Sequence, residues 1–190
     1  VSANGSRVLV DCGLYQGIKN LRERNWQVLP VAVSDIDAVV LTHAHIDHSG
    51  YLPALYRQGF RGPVYCSPAT HALCKVLLPD AGYLQEEDAA YANRKKFSKH
   101  APAEPLFTEQ DAYSVLKQFR AIDYGEAHPV AKGLEATLTP VGHILGASSV
   151  RLDDGERTLA CGGDLGRAHG PVMFAPDALR PADYLVVEST

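Results

Sequence analysis

The stretch best equipped for chemistry is Thr42-His43-Ala44-His45-Ile46-Asp47-His48, in which His43, His45, Asp47 and His48 all carry groups that bind metal ions. Side chains two residues apart in extended chain point the same way, so His43 and His45 can address one position together. Asp47 and His48 follow closely enough to turn towards a neighbouring position, and that spacing suits two ions better than one. Imidazole nitrogen and carboxylate oxygen hold zinc at roughly 2.0–2.2 Å, and a catalytic zinc keeps a coordination position open for water. The competing explanation is a polar surface turn. Four such side chains between His43 and His48, directly behind an apolar run, weigh against it.

That apolar run, Ala38-Val39-Val40-Leu41, reads as a buried strand, and a strand end is a rigid mount for a site. Residues 50–58 after the motif read as a helix with Leu52, Leu55 and Tyr56 on one face. Two further strand ends offer ligands. His143 stands between Gly142 and Gly146 behind the alternating run 134–141, and Asp164 follows Gly162-Gly163 behind the strand 157–161. The turn Asp153-Asp154-Gly155 predicts a hairpin that pairs 148–152 with 157–161 and carries Asp164 towards one sheet edge. Earlier in the chain, residues 6–13 form a short strand that ends in Asp11, Cys12 and Gly13.

Strands and helices alternate through the first two thirds, which predicts an α/β architecture. Ser67 is placed to cap a helix that begins at Pro68. Thr108 and Asp111 resemble a capping box, opening a helix through about Phe119 with Tyr113, Leu116 and Phe119 in its apolar stripe. Residues 85–88 are acidic or amide-bearing and residues 94–100 are basic around Phe97, an order that suits the macrodipole of a solvated helix. The sharper reading makes Arg94, Lys95, Lys96 and Lys99 a phosphate-binding cluster. A last strand is expected over 182–187, followed by Glu188.

With 190 residues the chain is about one domain long, and 46% apolar with 21% charged residues is a globular composition. No apolar run reaches the roughly 18–20 residues that a spanning helix requires, so no membrane partner is expected. The net charge of −4 argues against a broad nucleic-acid-binding face, so any phosphate-binding surface must be local. Cys12, Cys66, Cys74 and Cys161 form no Cys-x-x-Cys pair and sit among apolar neighbours. That favours reduced, buried thiols and a cytoplasmic location.

His43, His45, Asp47 and His48 match the His-x-His-x-Asp-His signature, and the chain resembles the metallo-β-lactamase superfamily. The resemblance implies an αβ/βα sandwich of two mixed sheets flanked by helices, incomplete at both ends. It also implies two Zn2+ ions. His43, His45 and His143 would hold one, Asp47 and His48 the other, and Asp164 would bridge them, while Asp11 would orient a ligand histidine without touching metal. The acidic and basic stretches of residues 85–100, the loop around His143 and the ending Glu188-Ser189-Thr190 look like the β-CASP branch of RNA-processing nucleases. On that resemblance residues 1–190 are a metallo-β-lactamase domain with a β-CASP cap expected after 190, and Glu188 matches an acidic motif. The implied activity is cleavage of single-stranded RNA by a metal-bridging hydroxide, with Asp47 and Glu188 as catalytic carboxylates. A glyoxalase-like hydrolase of thioesters or lactones and a non-catalytic scaffold are the alternatives; the intact ligand motifs speak against the scaffold.

Overall fold

The computed structural model describes residues 1–188. Two five-stranded sheets face each other. In chain order the first half runs β1 (Ser2–Ala3), β2 (Ser6–Val10), α1 (Lys19–Arg22), β3 (Ala38–Val40), α2 (Ile46–Ser49), α3 (Leu52–Arg57), β4 (Val64–Cys66), α4 (Pro68–Lys95), α5 (Glu109–Leu116) and β5 (Phe119–Ala121). The second half contributes β6 (Ala127–Ala131), β7 (Leu134–Pro140), β8 (Ser148–Asp153), β9 (Thr158–Cys161) and β10 (Tyr184–Val186). The first sheet has the order β1-β2-β3-β4-β5 and is parallel from β2 to β5, with β1 antiparallel to β2. The second has the order β10-β9-β8-β7-β6 and is antiparallel except for β9 with β10.

Period-two alternation divides the apolar residues between two cores. Val8, Ala38 and Val40 turn towards Leu134, Ala136, Leu138, Val150 and Leu152 of the second sheet. Val39, Val64 and Cys66 turn the other way, beneath Leu52 and Leu55 of α3, Cys74 and Leu78 of α4, and Ala112 and Val115 of α5. The strand that precedes the metal motif is therefore packed on both faces, and Ala38, Val39 and Val40 are all fully buried.

The Ser67 hydroxyl caps α4 by accepting from Thr70 N at 3.1 Å. One continuous helix then runs 28 residues, carrying Pro79 in its interior, the acidic stretch 85–88 and, of the basic stretch, only Arg94 and Lys95. Half of the acidic stretch is an anchor, while Glu87 and Asp88 are exposed as a solvated helix face requires. Glu86 Oε2 accepts from Glu109 N at 2.9 Å and Gln85 Oε1 accepts from Leu106 N at 3.1 Å, tying α4 to the entry of α5. The capping box at Thr108 and Asp111 is formed, but α5 is shorter than expected. It ends at Leu116; Phe119 belongs to β5, where it pairs with Val64, and Tyr113 is exposed. The buried stripe is Ala112 and Val115, because sheet pairing captures the chain from Phe119 onward. The strand β6 was not expected from its sequence. It includes Pro129, tolerated at a sheet edge beside an irregular register between Pro129 and Ala131.

All four cysteines are free thiols, three of them buried. Burial, helped by the Asp11 carboxylate, pushes Cys12 up to about 12, and burial does the same for Cys74 against an opposing hydrogen bond from Ser49. None is a thiolate near neutral pH. Among the described residues no helix is long and apolar enough to cross a membrane.

Candidate metal centre

The site is assembled from both sheets at the ends of their strands. From the first sheet, the chain leaving β3 bends through Thr42 and delivers His43 and His45, and the single turn of α2 presents Asp47 and His48. From the second, His143 sits in the loop after β7 and Asp164 in the loop after β9. The halves are pinned together beside the ligands. Ser148 at the start of β8 donates from both its backbone N–H, at 2.9 Å, and its hydroxyl, at 3.1 Å, to the carbonyl of Thr42.

Close backbone approach fixes two of these loops. A Cβ at Gly13 would lie 1.5 Å from the carbonyl oxygen of Asp47, so only glycine lets the loop after β2 lie against α2. A Cβ at Gly166 would lie 2.1 Å from the carbonyl oxygen of Gly142, which locks the loops of Asp164 and His143 against each other.

One ligand atom from each of His43, His45, His143 and Asp164 fall within 4.8 Å of one another. His45 Nδ1 lies 3.0 Å from His43 Nε2 and 3.2 Å from His143 Nε2. A tetrahedral ion with Zn–N bonds of roughly 2.0–2.1 Å sets its ligand nitrogens about 3.3 Å apart, so this spacing is close to the edge of such a tetrahedron. The donor set fits zinc. Asp164 then faces two ways. Its Oδ2 is 3.4 Å from His143 Nε2 and 3.7 Å from His43 Nε2, while its Oδ1 is 3.2 Å from His48 Nε2. Asp47 Oδ2 lies 3.9 Å from the same His48 nitrogen.

Asp11 governs the tautomers. It adopts a left-handed conformation at φ 62°, which Asp tolerates better than most residues, and this turns its carboxylate back under the motif. Oδ1 accepts from Thr42 N at 2.7 Å, and Oδ2 accepts from the Thr42 hydroxyl at 2.8 Å and from His48 Nδ1 at 2.8 Å. With its proton committed to Asp11, the Thr42 oxygen accepts from His43 Nδ1 at 3.0 Å. Both imidazoles are thereby left with bare Nε2 atoms directed at Asp164. Thr42 was not singled out from the sequence. Its place between strand and motif is the signal that could have found it.

The electrostatics of the two rings diverge. Burial, then the neighbouring imidazoles of His48, His45 and His143, hold His43 down at about 3, with only Asp47 opposing. Burial also lowers His48, but the hydrogen bond it donates to Asp11 and the carboxylates of Asp11, Asp164 and Asp47 outweigh it and leave the ring above its ordinary value. A buried neutral imidazole and one surrounded by carboxylates are two ways of favouring a cation between them.

A cavity of ≈ 410 Å³ opens on the Asp47 and His48 side and is lined by Asp11, Thr42, Cys161, Asp164 and Glu188 as well. The structure thus brings together Asp11, His43, His45, Asp47, His48, His143, Asp164 and Glu188. Ser189 and Thr190 lie outside the described residues. The basic cluster is not one helical face. Arg94 and Lys95 close the last turn of α4, Lys96 takes a left-handed conformation at φ 55°, and Lys99 lies in the loop beyond.

A sequence profile described as the beta-lactamase superfamily domain matches residues 6–190. The chain belongs to the metallo-β-lactamase superfamily. This superfamily domain is 35% identical over 188 residues to ribonuclease TTHA0252 of Thermus thermophilus, covering 99% of this chain and 39% of that protein. It is 34% identical over 167 residues to the transcription termination factor FttA of Methanocaldococcus jannaschii, covering 87% of this chain and 24% of that one. It therefore spans well under half the length of these relatives. Among solved structures, a metallo-β-lactamase of Cronobacter sakazakii superposes with a TM-score of 0.52 at 18% identity, covering 90% of this chain and 54% of that one, which supports the fold.

Proposed function

We propose that this domain carries the metal-holding half of a hydrolase that cuts phosphodiester bonds in single-stranded RNA, acting in the cytoplasm with a β-CASP cap following residue 190. The observation that carries the reading is the division of Asp164, one oxygen towards the His43 and His143 nitrogens and the other towards His48. A carboxylate so placed would be shared by two ions, should both be bound. His43, His45 and His143 would hold the first, Asp47 and His48 the second. Two zinc ions, when bound, supply Lewis acidity to the phosphate oxygens and to the attacking water, the pattern of many enzymes that act on phosphate esters.

The residues of the chain do the rest. The Asp11–Thr42–His43 and Asp11–His48 hydrogen bonds orient the ligand nitrogens before substrate arrives. Asp47, half exposed at the cavity mouth, and Glu188 on its wall are the carboxylates that would accept the proton of the attacking water. The names of the two relatives, a ribonuclease and a transcription termination factor, support RNA as the substrate class.

The test is incubation of labelled single-stranded RNA with the full-length protein, with and without a chelator, and with His45→Ala. The expected result is cleavage that the chelator stops and that the variant lacks. Cleavage indifferent to both would overturn the metal mechanism, and thioester hydrolysis without RNA cleavage would move the protein to the small-molecule hydrolases.

A further inference from the structure

A groove of ≈ 770 Å³ runs between the segment after β2 and the end of α4, away from the metal cavity. Four aromatic side chains line it, and all are more exposed than packing requires: Tyr15 at 52%, Trp26 at 62%, Tyr91 at 47% and Phe97 at 65%. Cations are interleaved with them. The Arg24 guanidinium lies 5.6 Å from the Tyr15 ring centre, and Arg94 and Lys95 lie 5.4 and 6.0 Å from that of Tyr91. Trp26 and Phe97 also line an adjoining hollow of ≈ 880 Å³ to which Lys19, Lys99 and His100 contribute, so the two hollows lie side by side and together make a track.

We propose that this track is a base-stacking platform that binds single-stranded RNA and leads it to the metal loop. The proposal rests on the RNA-hydrolase reading and extends it to the route of the substrate. Charge placement favours a polyanion. Residues 19–26 and 91–100 together hold seven of the chain's 18 Lys and Arg residues with one acid, Glu23, although the chain as a whole carries −4. The remaining acids of the groove, Asp88 and Glu104, line the trough itself. Phosphates are therefore drawn to the basic rims while the uncharged bases turn inward onto the rings, the arrangement by which single strands are held without regard to sequence. One wall of the track also abuts the metal loop, on the side away from the metal cavity. That wall includes Leu14 and Ile46, whose backbones are joined by a 3.0 Å hydrogen bond, and Ile46 lies between the ligands His45 and Asp47.

The experiment uses the full-length protein, Trp26→Ala and Phe97→Ala. Three quantities are measured: affinity for a labelled oligoribonucleotide of about 12 nucleotides and for the same sequence as duplex, the KM and kcat of RNA cleavage, and hydrolysis of bis(p-nitrophenyl) phosphate, which is too small to reach the track. Each substitution should weaken single-strand binding about 10-fold or more and raise KM with little change in kcat. Duplex binding should be weaker in the wild type, and small-ester hydrolysis should be unchanged. Trp26→Phe, which keeps a ring, should retain most of the affinity. Unaltered RNA affinity in both alanine variants would overturn the platform and leave the hydrolase reading standing. So would a loss of thermal stability with no loss of affinity, the sign that another part of the protein covers these rings. A wild type that binds single strands through these residues but cuts only thioesters would overturn the hydrolase reading and keep the platform.

Discussion

The sharpest test of the metal centre is a one-atom change, Asp11→Asn. The Asp11 carboxylate accepts three hydrogen bonds of 2.7–2.8 Å, from Thr42 N, Thr42 Oγ1 and His48 Nδ1. An amide keeps one oxygen and turns a donor towards at least one of these donors, so His48 must move its proton to Nε2, the atom that faces Asp164. Asn tolerates the left-handed backbone at this position, so the substitution perturbs hydrogen bonding and not the chain path. Loss of such an orienting partner costs about 10–100-fold in metal affinity, or about 1.4–2.8 kcal/mol. Competition against a chromogenic chelator, with urea unfolding as a check on folding, measures it. Because Asp11 reaches His43 only through the Thr42 hydroxyl, Asp11→Asn and Thr42→Val should be less than additive in a double-mutant cycle. Wild-type zinc affinity in a folded Asp11→Asn protein would refute the account of how the ligands are oriented.

Other outcomes follow from particular contacts. Gly13→Ala drives a methyl group into the Asp47 carbonyl and should cost about 3 kcal/mol or more in urea unfolding, with loss of bound metal. Phe107→Ala empties a fully buried site beneath the helices and should destabilise by about 3–5 kcal/mol while leaving zinc stoichiometry intact in the folded fraction. Thr108→Ala removes a formed capping box and should cost about 1 kcal/mol. In metal-free protein His43 titrates near 3 when folded and at its ordinary 6.5 when unfolded. Its contribution is therefore complete above about pH 6.5 and is lost as pH falls towards 3. The raised His48 acts in the opposite sense, contributing fully below its unfolded value and losing that contribution as pH rises through its folded one. The urea midpoint of chelator-treated protein should accordingly fall more steeply between about pH 7 and about pH 4.5 in the wild type than in His43→Gln.

What could be seen in the sequence was whatever depends on local order. His43 to His48 announced a metal loop because ligand types at fixed spacing are rare by chance, and His143 and Asp164 stood out as polar residues among glycines at strand ends. A continuous apolar run placed β3, period-two alternation placed β7, the turn at Asp153 to Gly155 placed β8 and β9, and the caps at Ser67 and Thr108 were recognisable from their hydroxyls. Elements decided by distant partners were harder. Phe119 fits an amphipathic helix until Val64 offers it a strand, and β6 hides a proline that only an edge position tolerates. Thr42 escaped notice because its role exists only once Asp11, 31 residues earlier, folds beneath it. The aromatic track escaped for the same reason, since Tyr15 and Tyr91 share a wall only in three dimensions.

The division of the ligands between two sheets also bears on how the protein is made. A polypeptide emerging from the ribosome exposes His43, His45, Asp47 and His48 long before Asp164 is synthesised, and until then it offers a cation an open clasp. High-affinity loading must wait for β7 to β9 to dock against β3, a slow, long-range step. Once seated, the ions would act as rivets through the seam between the sheets, so that stripping them should loosen the junction at Thr42 and Ser148 before it disturbs either core.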